Sequence, residues 1–185
     1  MTRWGWVLVL ALACDAAPPP GVPMGTWSAT VTPVEYACGL SDVSPEGFSF
    51  DLVLTHDTSS EEAWVTLNGY SRAATFDGQH LVSSAEAARI FTQCAGCRTR
   101  MSEAMRFTVF SRSQWEATGA CRFDGTVPDG EGITLPGRAA QGFDAVRLCG
   151  AMEVAVRSEG TEDGGACDAV CDGCLVRYQL EGTRR

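Results

Sequence analysis

The chain has 185 residues, a formal net charge of −9, nine cysteines and two histidines. All fourteen basic residues are arginine, which excludes Schiff-base chemistry on lysine, and two histidines exclude a three-histidine metal site. The acidic balance, without a basic patch, argues against a nucleic-acid partner. No common nucleotide-binding, hydrolase or zinc-protease motif is present, so no cofactor and no catalytic residue is predicted, which weighs against an enzyme.

The N-terminal residues have the pattern of an export signal. Arg3 precedes an apolar stretch over residues 4–12, which is shorter than the roughly 20 residues of a membrane-spanning helix. The run Ala-Leu-Ala-Cys at positions 11–14 resembles the leader of bacterial lipoproteins, in which a small residue precedes the lipidated cysteine. That family usually has Leu at the first of these positions and a small residue at the second. The resemblance implies a signal peptide over residues 1–13 and Cys14 as the lipidated N-terminus.

This resemblance implies a cell-envelope protein, held by its lipid to a membrane and facing the periplasm or the exterior. Plain secretion is the alternative, because Ala-Leu-Ala also fits ordinary signal peptidase; an uncut anchor is a third. Removing Cys14 from the nine cysteines leaves an even set of eight, which suits disulfides in an oxidising compartment. The proline-rich residues 14–24 predict a stiff tether, and residues 25–185 predict one β domain.

The first two strands show a clear period of two. Trp27, Ala29 and Val31 alternate with hydroxyl residues, which predicts a half-buried strand that ends at Pro33. In the second strand the apolar positions are Phe48, Phe50, Leu52 and Leu54.

Two tight hairpins follow, centred on Asn68-Gly69 and Asp77-Gly78. Both dipeptides favour the positive φ that two-residue hairpin turns require, and the length of such a loop sets the strand register. The predicted pairs are Leu67 with Tyr70, Val65 with Arg72, Ala63 with Ala74, Phe76 with Gln79, and Ala74 with Leu81.

The second half of the chain adds further strands. Residues 83–91 fit a helix or a strand, and we favour a strand because a strongly alternating strand follows. Residues 111–119 predict a short helix ending at Gly119, and residues 120–143 predict a long loop rich in Gly, Pro and Asp. The predicted inward residues of the three later strands are Thr99, Met101, Met105, Phe107 and Val109; Val146, Leu148, Met152, Val154 and Val156; and Cys174, Val176, Tyr178 and Leu180.

About eight strands joined mainly by hairpins predict an all-β fold. We expect an antiparallel up-and-down barrel or a sandwich, stapled by disulfides and carrying one short helix. The opening Gly25-Thr26-Trp27 resembles the G-x-W start of lipocalin-like (calycin) barrels. That resemblance implies a small-molecule carrier in which an arginine near the last strand packs over Trp27, and the candidates here are Arg177, Arg184 and Arg185.

Alternating strand direction makes a prediction about the cysteines. It leaves Cys121 to bridge Cys149, and it places six other cysteines at the end of the domain far from the tether. Three bridges are expected among these six, and the sequence does not fix which cysteine pairs with which. The six are Cys38, Cys94, Cys97, Cys167, Cys171 and Cys174. An alternative reads two C-x-x-C motifs as a zinc site, with the ligands Cys94, Cys97, Cys171 and Cys174, or as a thiol-redox pair.

Two charged residues fall on apolar strand faces. Arg72 and Glu103 must be paired or hydrated there, and we favour a buried ion pair over a ligand anchor. Both residues, with Trp27, are the candidate ligand contacts, whereas His56 and His80 are expected at the surface. The predicted function is a non-catalytic binding or structural module of the cell envelope, whose protein or small-molecule ligand is unknown.

Overall fold

The computed structural model describes residues 20–118, 120–122, 144–161, 163–171 and 173–185. The predicted signal peptide, Cys14, most of the tether and most of the 120–143 loop lie outside these residues. The described residues contain a short α-helix, α1 (Arg112–Thr118), and two 3-10 turns, Thr92–Cys94 and Ala169–Cys171. The strands are β1 (Val22–Ala37), β2 (Phe48–His56), β3 (Glu62–Leu67), β4 (Tyr70–Phe76), β5 (His80–Arg89), β6 (Cys97–Ser111), β7 (Ala145–Thr161) and β8 (Cys174–Arg184).

The strands form a closed antiparallel barrel, as the all-β prediction requires. Each strand pairs with its neighbours in the sequence, and β8 pairs with β1 to close the sheet. Closure removes the two free edges that an open sheet would expose. In this up-and-down order, β1 begins at the lower end of the barrel, while the β1–β2, β3–β4, β5–β6 and β7–β8 connections lie at the upper end.

The β3–β4 hairpin has the predicted register. Leu67 pairs with Tyr70, Val65 with Arg72 and Ala63 with Ala74. Asn68 adopts a left-handed φ of 49° and Gly69 a φ of 83°, as a two-residue turn of this kind requires.

The register predicted for the β4–β5 hairpin was wrong by two residues. Phe76 pairs with Leu81 instead of Gln79, so four residues separate the paired positions. The Asp77 carboxylate accepts hydrogen bonds from the backbone N–H groups of Gln79 at 2.9 Å and His80 at 2.7 Å, which stabilises the wider loop. Because the shift is even, Leu81 still faces the core.

Strand β1 is longer at both ends than predicted. It begins at Val22, so residues 22–24, predicted as tether, belong to the barrel, and Met24 is buried. The strand also continues through Pro33, where the pairing with β8 shifts register before Glu35. A proline lacks the N–H that a ladder uses, and such an irregularity accommodates it.

The lower half of the barrel holds a cluster of buried, mainly apolar side chains, to which His56 contributes although it was expected at the surface. Its imidazole is 1% exposed and packs edge-on against Phe76 with ring centroids 5.1 Å apart. Its Nε2 lies 3.1 Å from the carbonyl oxygen of Ser60, which satisfies one ring nitrogen. The predicted inward residues Trp27, Leu52, Leu54, Phe107, Val109, Leu148 and Leu180 are all buried here.

Helix α1 and a disulfide cover part of the outer wall. Trp115 packs against Phe110 at a centroid distance of 5.8 Å, and the Arg147 guanidinium lies 5.7 Å from the Trp115 ring centroid. The predicted bridge between Cys121 and Cys149 is present and ties the segment after the helix to β7.

Candidate functional site

The upper end of the barrel is divided into a plugged side and an open side. On the plugged side, the β1–β2 connection folds inward and buries Leu40 and Val43, and Phe91 is buried beside the first 3-10 turn. The Tyr178 hydroxyl donates a hydrogen bond to the carbonyl oxygen of Ser44 at 2.8 Å. Burial, with a smaller contribution from Tyr36, raises the pKa of Tyr178 above its ordinary value.

Three disulfides hold the plug in place. Cys38 is bonded to Cys174, Cys94 to Cys171 and Cys97 to Cys167, so the six cysteines expected at this end do meet there. Each bridge joins positions at least 70 residues apart, and crosslinks that close long loops restrict the unfolded chain strongly.

This pairing bears on the zinc and thiol-redox alternatives. Within each C-x-x-C motif the two cysteines bond to other partners, not to each other. Cys94, Cys97, Cys171 and Cys174 therefore provide no thiolates for zinc in this oxidised form. Among the described residues, no group of three or more His, Cys, Asp or Glu side chains is arranged to hold a metal ion.

The open side contains a pocket of about 530 Å³, which we call the mouth pocket. Binding sites for small organic molecules typically have volumes of about 300–1,000 Å³. Its polar lining residues are Ser49, Asn68, Tyr70, Arg72, Arg89 and Glu103. Its apolar lining residues are Phe48, Phe50, Leu67, Met101, Met105 and Met152.

The mouth pocket contains the predicted charged pair. Arg72 Nη1 donates a hydrogen bond to Glu103 Oε1, and the two side chains are 27% and 12% exposed respectively. Glu103 is the more deeply placed partner, surrounded along β6 by Met101 and Met105. A carboxylate in such surroundings needs a cation, and Arg72 supplies it.

The strand register explains how this pair forms. Glu103 on β6 lies opposite Ala85 on β5. Arg72 lies on β4 two residues above Ala74, which is the uppermost β4 residue paired with β5. The small side chain of Ala85 leaves space across β5, and the long arginine side chain reaches over it to the carboxylate.

The pairing between β4 and β5 stops partway up the barrel. Only three residue pairs join these strands, whereas ten join β5 to β6. At the point of separation the Ser83 hydroxyl donates to the carbonyl oxygen of Ala73 at 2.9 Å, in place of a backbone donor. Above it, residues 70–73 and 84–89, all described, have no backbone pairing with each other. We call this opening the β4–β5 seam.

Exposure along β5 agrees with an opening at the seam. Alternation from the buried Leu81 and Ser83 predicts that Ala87 and Arg89 face inward, yet both are exposed. On the other side of the seam, Tyr70 is 78% exposed although it shares a face with buried Val65. The mouth pocket is thus accessible from the upper end and from one side.

Trp27, the third candidate ligand contact, lies away from the mouth pocket. It is fully buried in the lower half, and its indole Nε1 has no hydrogen-bond partner in the part of the chain that the structure describes. Of the three candidate arginines, Arg184 is the one paired with Trp27 across β1 and β8. Its Nε lies so close to Gly25 that a Cβ added to Gly25 would be 2.6 Å from that nitrogen.

The other two candidate arginines are engaged elsewhere. Arg185 contacts Asp51 at 2.7 Å. Arg177 lies on the outer surface between Glu153 at 2.9 Å and Glu35 at 2.7 Å, and these hydrogen bonds raise its pKa above the ordinary value.

Sequence reasoning missed Arg89 as a member of the site and treated Met101 and Met105 only as core residues. The alternation on β5 contained a signal for Arg89, because it continues the inward series through Leu81, Ser83 and Ala85. Met152 was likewise predicted to face inward, and it lines the mouth pocket. No local sequence pattern indicates that inward side chains leave space for such a pocket in the upper half of the barrel.

Among the described residues, none of the helical segments has the length and apolar character needed to cross a membrane. No family model, no curated protein and no solved structure matches this chain.

Proposed function

We propose that this protein is a cell-envelope lipoprotein whose disulfide-stapled barrel is a non-catalytic module that binds a small molecule. The lipoprotein-like leader supports export and attachment through Cys14. Four disulfides support an oxidising compartment, since such bonds persist outside the reducing cytosol. The observation that carries the binding role is the mouth pocket, where a charged pair lies among apolar side chains.

The position of the pocket suits this role. Strand β1 begins at the lower end of the barrel, eight residues after Cys14, and a segment of that length spans at most about 25–30 Å. A lipid on Cys14 would therefore keep the lower end close to the membrane. The mouth pocket, at the upper end, would face the aqueous compartment.

A small-molecule site is favoured over a thiol-redox or zinc site. Both alternatives depend on reactive or metal-binding sulfurs at the upper end, and there the sulfurs are joined in long-range bridges. The mouth pocket lies on the other side of this end and contains no cysteine among its lining residues.

Attachment is tested by metabolic labelling with a radioactive fatty acid. The wild-type chain should be labelled and recovered with membranes, whereas Cys14→Ala should be unlabelled. A wild-type protein that carries no label would remove the anchor from the proposal.

Binding is tested with the purified, oxidised barrel and the neutral fluorescent dye N-phenyl-1-naphthylamine. Met101→Trp should fill the pocket and weaken binding at least about tenfold, a loss of 1.4 kcal/mol. Ala104→Trp is the matched control, because Ala104 lies on the outer face of the same strand and is exposed. No binding by the wild type, or equal binding by both variants, would contradict the proposed site.

A further inference from the structure

We infer that the mouth pocket selects amphipathic organic anions, molecules with one negatively charged headgroup and an apolar body. This inference rests on the proposed binding function and names the class of ligand that the pocket takes.

The charges that line the pocket do not cancel. Arg72 and Glu103 neutralise each other through their direct contact, while Arg89 adds a second guanidinium. In the part of the chain that the structure describes, Arg89 has no ion pair with any carboxylate. The described lining therefore has an excess of one positive charge, although the protein as a whole has a net charge of −9. One negative headgroup balances this excess.

Arg72 is able to contact a ligand while it remains paired. A guanidinium has five N–H donors in a fixed plane, and the contact with Glu103 uses Nη1. Arg72 lines the pocket and its side chain is 27% exposed, so donors that Glu103 does not use remain for a ligand. Glu103 thus acts as a positioning residue that orients the Arg72 guanidinium, and Arg72 and Arg89 are the two headgroup contacts.

The rest of the lining suits an apolar body. Five of the twelve lining residues are methionine or phenylalanine: Met101, Met105, Met152, Phe48 and Phe50. Methionine side chains are flexible and polarizable, so such a wall adapts to apolar chains or rings of different shape.

The β4–β5 seam provides a route for an elongated ligand. Its upper part has no backbone ladder, so the wall can admit an apolar body from the side without breaking strand pairing. Arg72 on β4 and Arg89 on β5 border the two sides of this opening. A headgroup held between them would leave the apolar body inside the pocket.

The test uses three amphiphiles with the same chain length as competitors for bound N-phenyl-1-naphthylamine. The two ionic amphiphiles are kept below their critical micelle concentrations and dodecanol below its solubility limit. Dodecanoate should displace the dye at least about tenfold more effectively than dodecanol, the scale of one charge-assisted hydrogen bond. Dodecyltrimethylammonium should be weaker than both. Equal displacement by all three would overturn the anion preference but leave the binding function intact, whereas failure of the dye to bind would overturn both.

Two variants locate the headgroup contacts. Arg89→Gln should weaken displacement by dodecanoate about tenfold and leave dodecanol unchanged. Arg157→Gln makes the same change of charge on an exposed site of β7 outside the pocket, and should leave both ligands unchanged. An equal effect of the two variants would mean that only the overall charge matters, which would refute the assignment of Arg89.

The role of the ion pair is tested by the double variant Arg72→Met with Glu103→Met, which removes both charges and leaves neither one unpaired. Because both residues line the pocket, the readout is the ratio of displacement by dodecanoate to displacement by dodecanol, which should fall in this variant. An unchanged ratio would exclude Arg72 from the headgroup site.

Discussion

The Arg72–Glu103 pair leads to a prediction about stability that follows from unequal burial. Removing one partner of a fully buried ion pair costs about 3–5 kcal/mol, because the other charge stays in a poorly solvated site. Here the Arg72 and Glu103 side chains are 27% and 12% exposed, so the loss should be smaller than that range.

The two single variants should differ in size. Arg72→Met leaves the more buried carboxylate without its cation, and we expect the free energy of unfolding to fall by about 2 kcal/mol. Glu103→Met leaves a long arginine whose head can turn toward water through the open mouth, and we expect a loss of about 1 kcal/mol. The double variant replaces the pair with apolar side chains and should lie within about 1 kcal/mol of the wild type.

The measurement is guanidinium chloride unfolding of the four oxidised proteins, monitored by tryptophan fluorescence. The double-mutant cycle should give a coupling energy on the order of 2 kcal/mol between the two positions. If Glu103→Met is the more damaging single change, or if the losses simply add, the explanation based on unequal burial is wrong.

Further predictions concern the barrel and its connections. Gly150→Ala should destabilise the protein by about 3 kcal/mol or more in the same unfolding assay, because the new Cβ would lie 2.1 Å from the carbonyl oxygen of Arg106; a loss below about 1 kcal/mol would contradict this packing. Replacing Cys121 and Cys149 by serine should cost about 3–4 kcal/mol, as expected for a loop closed over 28 residues, and an unchanged denaturation midpoint would refute the estimate. Burial alone would raise the pKa of Asp77, but hydrogen bonds from the backbone N–H groups in its loop outweigh it and lower that pKa. The stabilisation from Asp77 is therefore present at neutral pH and is lost as the pH falls through the lowered pKa. In Asp77→Asn the free energy of unfolding should consequently fall less steeply with decreasing pH in this range. A pH profile of unfolding identical to that of the wild type would argue against this role of Asp77.

Much of the fold could be predicted because its signals are local. Alternating apolar residues identify strands such as β2 and β8, and Asn68-Gly69 sets the register of β3 against β4 through the length of its turn. The register predicted at Asp77-Gly78 was wrong for an equally local reason, which the preference of this dipeptide for two-residue turns does not take into account. There the aspartate side chain binds two backbone N–H groups and stabilises a longer loop.

The candidate site could be predicted only in part. Arg72 and Glu103 attracted attention because each is a charge on an apolar face, and the structure brings them together. Arg89 continues the inward alternation of β5, but residues 83–91 fit a helix as well as a strand, so the sequence assigns no inward face there. The β4–β5 seam has no sequence signal at all, because it depends on how far two strands separate after their last shared pair.

The amino-acid sequence by itself determined most of the strand content, the inward face of strands such as β2, β3 and β8, and the Cys121–Cys149 bridge. These features depend on periodicity, turn chemistry and strand direction, which act over short stretches or follow from strand order. Only the tertiary structure decided the connectivity of the other six cysteines, the closure of β8 on β1, and the unfilled space beside Arg72. Those features depend on which inward side chains meet across the barrel, and that is set by the combined registers of all eight strands.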